Sequence, residues 1–85
     1  MSRTSRKARR IVAAVAMVPR QRIRPDTRLD GLGLDMPDRM EIVVAAERAT
    51  GGFVQGENDW ETVGDVITAC RAAAIYGDCQ HGAAT

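Results

Sequence analysis

The chain has 85 residues, 45% of them hydrophobic and only three aromatic (Phe53, Trp60 and Tyr76), which suits one small domain with a modest core and excludes a second. Its net charge of +1 hides a division: residues 1 to 28 hold nine of the twelve basic residues and one acid, Asp26, whereas the remainder holds ten of the eleven acids. The resulting dipole reads either as two solvated faces that attract each other on folding, or as an anionic partner for the first part and a basic partner for the second.

No apolar run approaches the roughly 18 residues of a membrane span. The stretch Ile11 to Val18 behind the basic start is short for a signal peptide, and no clear small-residue cleavage site follows it, so the expected location is the cytoplasm.

Residues 1 to 7 are expected to form a basic flexible arm. Ala8, Ile11, Val12, Val15 and Val18 then recur at steps of three and four, which predicts an amphipathic helix from about Arg6 to Val18, stopped by Pro19. The cations Arg3, Arg6, Lys7, Arg9 and Arg10 oppose the dipole of that helix end, a cost without structural return that makes them candidate anion-binding residues. Contact with nucleic acid or an anionic membrane rests on their charge alone, because no helix-turn-helix spacing and no interleaved aromatic accompanies them. Nucleic acid is therefore not the expected partner.

Arg20 to Gly33 reads as a long loop anchored in the core by Ile23 and Leu29, with Pro25-Asp26-Thr27 as turn chemistry. A loop of that length without secondary structure is unusual in a compact domain. Gly31 and Gly33 then form a turn, Asp35 caps a helix, Pro37 suits its first turn and Asp38 completes a capping box. The second helix is predicted from Met36 to about Ala49. Ile42, Val43, Ala46 and Ala49 form its core stripe, while Met36, Met40 and Val44 form a neighbouring stripe flanked by Asp38, Glu41 and Glu47. That second stripe reads equally well as a wide core face or as an adaptable binding surface.

After Thr50-Gly51-Gly52, Phe53 and Val54 are expected to fill the core beside Ala46, and Gly56 to Trp60 suits a short turn of helix with Trp60 packed inward. Thr62, with Asp65 three residues on, caps the last helix. Val63, Val66, Ile67, Cys70 and Ala74 repeat at helical spacing, Gly77 is placed to end the helix, and residues 78 to 85 read as a flexible tail.

Catalysis is not expected, since the single His81 falls in that tail and no Ser-His or Cys-His pair falls on ordered elements. Cys70 sits on an apolar stripe as a small core residue. Cys79 and His81 supply too few ligands for structural zinc, and Asp35, Asp38 and Glu41 read as a cap and a solvated face, so no metal site is expected.

The stretch Leu32-Gly33-Leu34-Asp35-Met36-Pro37-Asp38-Arg39-Met40-Glu41-Ile42 resembles the attachment turn of the acyl carrier protein family, which typically reads Leu-Gly-x-Asp-Ser-Leu-Asp-x-x-Glu-Leu. Arg24 to Leu29 looks like that family's long first loop, and Thr62-Val63-Gly64-Asp65-Val66-Ile67 like the start of its last helix, so the resemblance covers about residues 8 to 75. It implies an all-α, acyl-carrier-protein-like four-helix bundle over residues 8 to 77, with three longer helices, one short helix and a long first loop.

In the family the Ser carries 4'-phosphopantetheine, the arm that holds an acyl chain as a thioester. Met36 stands at that position here and Pro37 at the following Leu. A thioether cannot form the phosphodiester, so Met36 is expected to stay unmodified, with no cofactor unless position 36 is restored to Ser. The resemblance further implies a monomeric, non-catalytic module of fatty-acid, polyketide or related acyl metabolism. Asp35, Asp38, Met40, Glu41, Val44 and Glu47 would dock the basic surface of an acyl-chain enzyme or regulator. Two alternatives stay open: an ordinary acyl carrier with a Ser-to-Met change at 36, and anion binding by the basic arm.

Overall fold

The computed structural model describes the backbone of residues 3 to 84 and the side chains of residues 3 to 75. Three α-helices form, α1 (Arg3–Ala16), α2 (Met36–Thr50) and α3 (Val63–Ala84), each packed against the other two. One-turn 3-10 helices at Arg20–Arg22, Asp30–Leu32 and Glu57–Asp59 punctuate the connections. The described residues are thus all-helical, with no strand beyond an isolated bridge between Arg28 and Thr62.

The expected four-helix count is corrected to three. The fourth, short helix is a single 3-10 turn, because Trp60 swings into extended backbone (φ −68°, ψ 128°) to bury its indole and leaves no residues for a second turn.

Both outer helices also run further than predicted. α1 begins at Arg3, so the basic residues expected as an arm are helical, and buried Ser5 anchors that first turn by accepting a 2.9 Å hydrogen bond from Arg71 of α3. At its other end α1 stops at Ala16, before Pro19 acts: Met17 takes a left-handed conformation (φ 59°) and the Val18 amide donates to the Ala13 carbonyl at 3.1 Å. That closure ordinarily uses glycine, and a side-chain-bearing residue there costs about 1 kcal/mol. α3 continues through Gly77, its expected end, to Ala84, since an interior glycine costs a helix only about 1 kcal/mol. The side chains of Cys79 and His81 lie outside the described ones.

The core forms where the apolar stripes meet. Val12, Ile23, Leu29, Ile42, Val63, Val66 and Cys70 are its largest fully buried side chains, so Ile23 and Leu29 do anchor the first loop. Burial pushes the Cys70 thiol up to about 11, which keeps it protonated and unreactive at neutral pH. Ala49, assigned to the core stripe, is exposed. Of the two residues expected beside Ala46, Val54 is buried but Phe53 is 66% exposed. The Val54 amide is held by the Glu47 carboxylate at 3.1 Å, and the extended chain there sends adjacent side chains to opposite sides.

The first loop is far from structureless. Besides its two 3-10 turns it pairs with the start of α3: the Leu29 amide donates to the Glu61 carbonyl (3.0 Å), the Val63 amide to Thr27 (2.9 Å) and the Gly64 amide to Pro25 (2.7 Å). These bonds satisfy backbone groups that a buried loop would otherwise leave unpaired. At the same junction the Asp65 carboxylate accepts from the amides of Glu61 (2.7 Å) and Thr62 (3.0 Å), which holds its pKa below the usual carboxylate value.

Two outcomes follow from this packing. A Cβ at Gly52 would overlap the backbone carbonyl of Ala73 in α3, so Gly52→Ala should lower stability by about 1–3 kcal/mol, read as a lower urea midpoint at unchanged slope. Because folding depresses the pKa of Asp65, its contribution is complete above the unfolded carboxylate value, about 4, and is lost as pH falls through the folded value. Asp65→Asn should therefore be less stable than the parent at pH 7 and converge with it in acid, as measured by thermal unfolding across that range.

Candidate functional site

The site begins in a turn that forces the chain to present the start of α2. The Leu29 carbonyl accepts from the amides of Leu32 (3.0 Å) and Leu34 (3.2 Å), Gly33 turns left-handed at φ 74°, and Leu34 is buried. A Cβ is strained at that φ, so glycine is favoured there. With Leu34 fixed in the core, Asp35 emerges as the N-cap. Its Oδ1 accepts from the Asp38 amide (3.4 Å) while the Asp38 carboxylate accepts from the Asp35 amide (3.3 Å), completing the predicted capping box. Pro37 lies in the first turn, where its missing N–H costs nothing. Met36, first residue of the helix, consequently stands at the tip and is 44% exposed.

Met40 and Val44 follow it at four-residue spacing and are 46% and 47% exposed, so the second stripe is a surface and not a widened core face. Pro37, Met40, Glu41, Val44, Ala45 and Arg48 line a shallow groove along it. The polar members divide. Glu41 is exposed beside the groove, whereas Asp35 and Asp38 are engaged in the cap. Glu47 is half-buried and holds the Val54 amide, which gives it a structural role. Arg48, unassigned from the sequence, borders the far end; its place four residues after Val44 was the available signal.

Sequence reasoning also missed Arg39, the residue that fixes this helix from behind. Its side chain is only 12% exposed, and the guanidinium donates to the carbonyls of Glu57 (2.9 Å) and Trp60 (2.6 Å), with Asp30 at 3.8 Å. Such bonds satisfy the end of a 3-10 turn with charge-assisted geometry. Nothing in the local pattern marks it, because its partners lie in other segments.

The basic residues of α1 also divide. Arg3, Arg6, Lys7 and Arg10 line one cleft with Arg20, while Arg9 turns aside to donate its Nε to the Ile23 carbonyl at 2.8 Å. Arg9 is thereby tied to the first loop.

Chemically, the α2 face offers apolar contact with charges at its edges: the side chains lining the groove carry no hydroxyl, thiol or imidazole. Among the described residues no group of three or more histidines, cysteines or carboxylates is placed to hold a metal ion, and no helix is long and apolar enough to cross a membrane. No protein-family model matches the chain, and no curated protein matches it.

Removing the guanidinium tests the support behind the face. Arg39→Met should cost about 2–3 kcal/mol, through the loss of charged hydrogen bonds and two carbonyls left without a donor. Urea unfolding measures this, and a red shift of native Trp60 emission would accompany the loosened turn.

Proposed function

We propose that this chain is an acyl-carrier-like recognition module that has lost the attachment residue and works by docking, through the α2 face, onto the basic surface of an acyl-chain enzyme or regulator. The observation that carries the reading is the exposed strip Met36, Met40 and Val44, three large apolar side chains on one helix face with Asp38 and Glu41 beside them. Unbranched methionines adapt to different apolar partners, and carboxylates near such a strip orient a cationic one.

The attachment turn supports the same reading. Gly33, buried Leu34 and the Asp35 cap set residue 36 at the exposed start of a helix, where free N–H groups and the dipole favour a phosphate. The position retains the setting for an attached arm, but Met36 lacks the nucleophilic oxygen. The module is therefore neither a carrier of acyl chains nor an enzyme. Its docking residues are Met36, Met40, Glu41 and Val44, with Asp35 and Asp38 holding the helix start and Arg48 giving the groove a basic end that fixes the direction of the partner.

The deciding measurement is intact mass after incubation with coenzyme A and a broad-specificity phosphopantetheinyl transferase. The parent should stay unmodified and Met36→Ser should gain the arm; failure of both would sink the carrier-like reading of this face. Adding Glu41→Arg to Met36→Ser should slow loading several-fold while the circular dichroism spectrum is unchanged, because a like charge then faces the basic surface of the transferase. Equal loading rates would remove Glu41 from the docking face.

A further inference from the structure

The cleft lined by Arg3, Arg6, Lys7, Arg10 and Arg20 lies apart from the α2 face and is not explained by docking there. Arg3, Arg6, Lys7 and Arg10 follow the three- and four-residue spacing of one helix face, so α1 presents them together. Arg20 is brought to them from beyond the helix. The Arg20 carbonyl receives the Ile23 amide (3.0 Å) and the Nη2 of Arg9 (3.3 Å), and the Nε of Arg9 holds the Ile23 carbonyl (2.8 Å). Arg9 therefore acts as a positioning residue that folds the 3-10 turn back against α1.

Five cations in one cleft repel each other, and the place of Arg3, Arg6 and Lys7 in the first turns of α1 adds the unfavourable sign of the dipole. The ion pairs among the described residues are Arg28–Asp30 and Arg39–Asp30, so none of the five is neutralised by a carboxylate there. A bound anion would relieve both costs at once.

We propose that this cleft binds a compact anion bearing several phosphate groups. Its volume of about 570 Å³ falls within the size range of small-ligand sites. Arginine supplies the forked donors that pair with phosphate oxygens, and four of the five lining residues are arginine. Two features favour a compact ligand over a nucleic acid. Among the described residues no aromatic side chain lines the cleft to stack a base, and Arg22, Arg24 and Arg28, which could extend a track along a duplex, are exposed but lie outside it.

The test is calorimetric titration of the full chain with inorganic tripolyphosphate at an ionic strength fixed with sodium chloride. The expected result is one saturable site, accompanied by a rise in melting temperature that sodium chloride at equal ionic strength does not reproduce. Arg6→Gln/Arg10→Gln should weaken binding at least tenfold while the anion-free melting temperature stays level or rises, which separates lost binding from lost folding. Arg22→Gln, outside the cleft, should change affinity less than twofold.

A free phosphate compound and a phosphorylated lipid head group present the same oxygens, and vesicles carrying a phosphorylated inositol lipid separate them. Retention that tripolyphosphate displaces supports the site with a lipid source; saturable tripolyphosphate binding without retention supports it with a free one. Absence of saturable binding, equal affinity of the double variant, or binding of a 16-base-pair duplex at a salt concentration where tripolyphosphate does not bind would overturn the proposal.

Discussion

The arrangement depends on one nearly buried cation. Arg39 projects from α2 into the gap between the Asp30–Leu32 turn and the Glu57–Asp59 turn, and its guanidinium joins Asp30, Glu57 and Trp60. Taking a charge out of water is costly unless hydrogen bonds replace the lost hydration, and two carbonyls do so here, with the Asp30 carboxylate close by at 3.8 Å. Because the same side chain closes the turn that delivers Trp60 to the core, the back of α2 is braced by contacts distant in sequence. The exposed front, with Met36, Met40 and Val44, is free to stay apolar because it contributes little to holding the helix in place.

Charge is sorted by element. Acids gather at the start of α2 and around the Glu57–Asp59 turn, while most of the cations lie on α1 and the loop behind it. The separation leaves each surface dominated by one sign, with few internal pairs, a condition that raises local potential at some expense in self-repulsion. Within each set, a few residues leave the surface for the backbone: Arg9 and Arg39 hold carbonyls, and Glu47 holds an amide. These three set the geometry in which the remaining charges are displayed.

Much of this was legible from the residues. Three- and four-residue apolar spacing located α1, α2 and α3, and isolated apolar residues in a polar loop marked Ile23 and Leu29 as anchors. The Asp35 cap and its reciprocal Asp38 were readable because capping is local chemistry. What escaped was non-local. Arg9, Arg39 and Glu47 look like ordinary surface charges until the segments that carry their partners are in place. Phe53 and Val54 could not be ordered as out and in without knowing where Gly52 meets α3. The end of α1 was missed for another reason: methionine gives no signal of a left-handed closure, so Pro19 seemed the natural stop. As for the site, the α2 stripe was readable as a candidate, but its exposure and the inclusion of Arg48 emerge only when the other faces of the helix are filled.

The pairing of Pro25, Thr27 and Leu29 with Glu61, Val63 and Gly64 bears on how the chain is made. These partners come from opposite halves of the polypeptide, so loop-closure entropy must be met before their bonds form. On a ribosome, α1 and the first loop emerge well before the start of α3, and until residues 61 to 64 clear the exit tunnel the loop backbone has no mate. The nascent N-terminal half, with its concentration of cations, would thus remain open until that segment emerges, and the bundle would close in one step once it does.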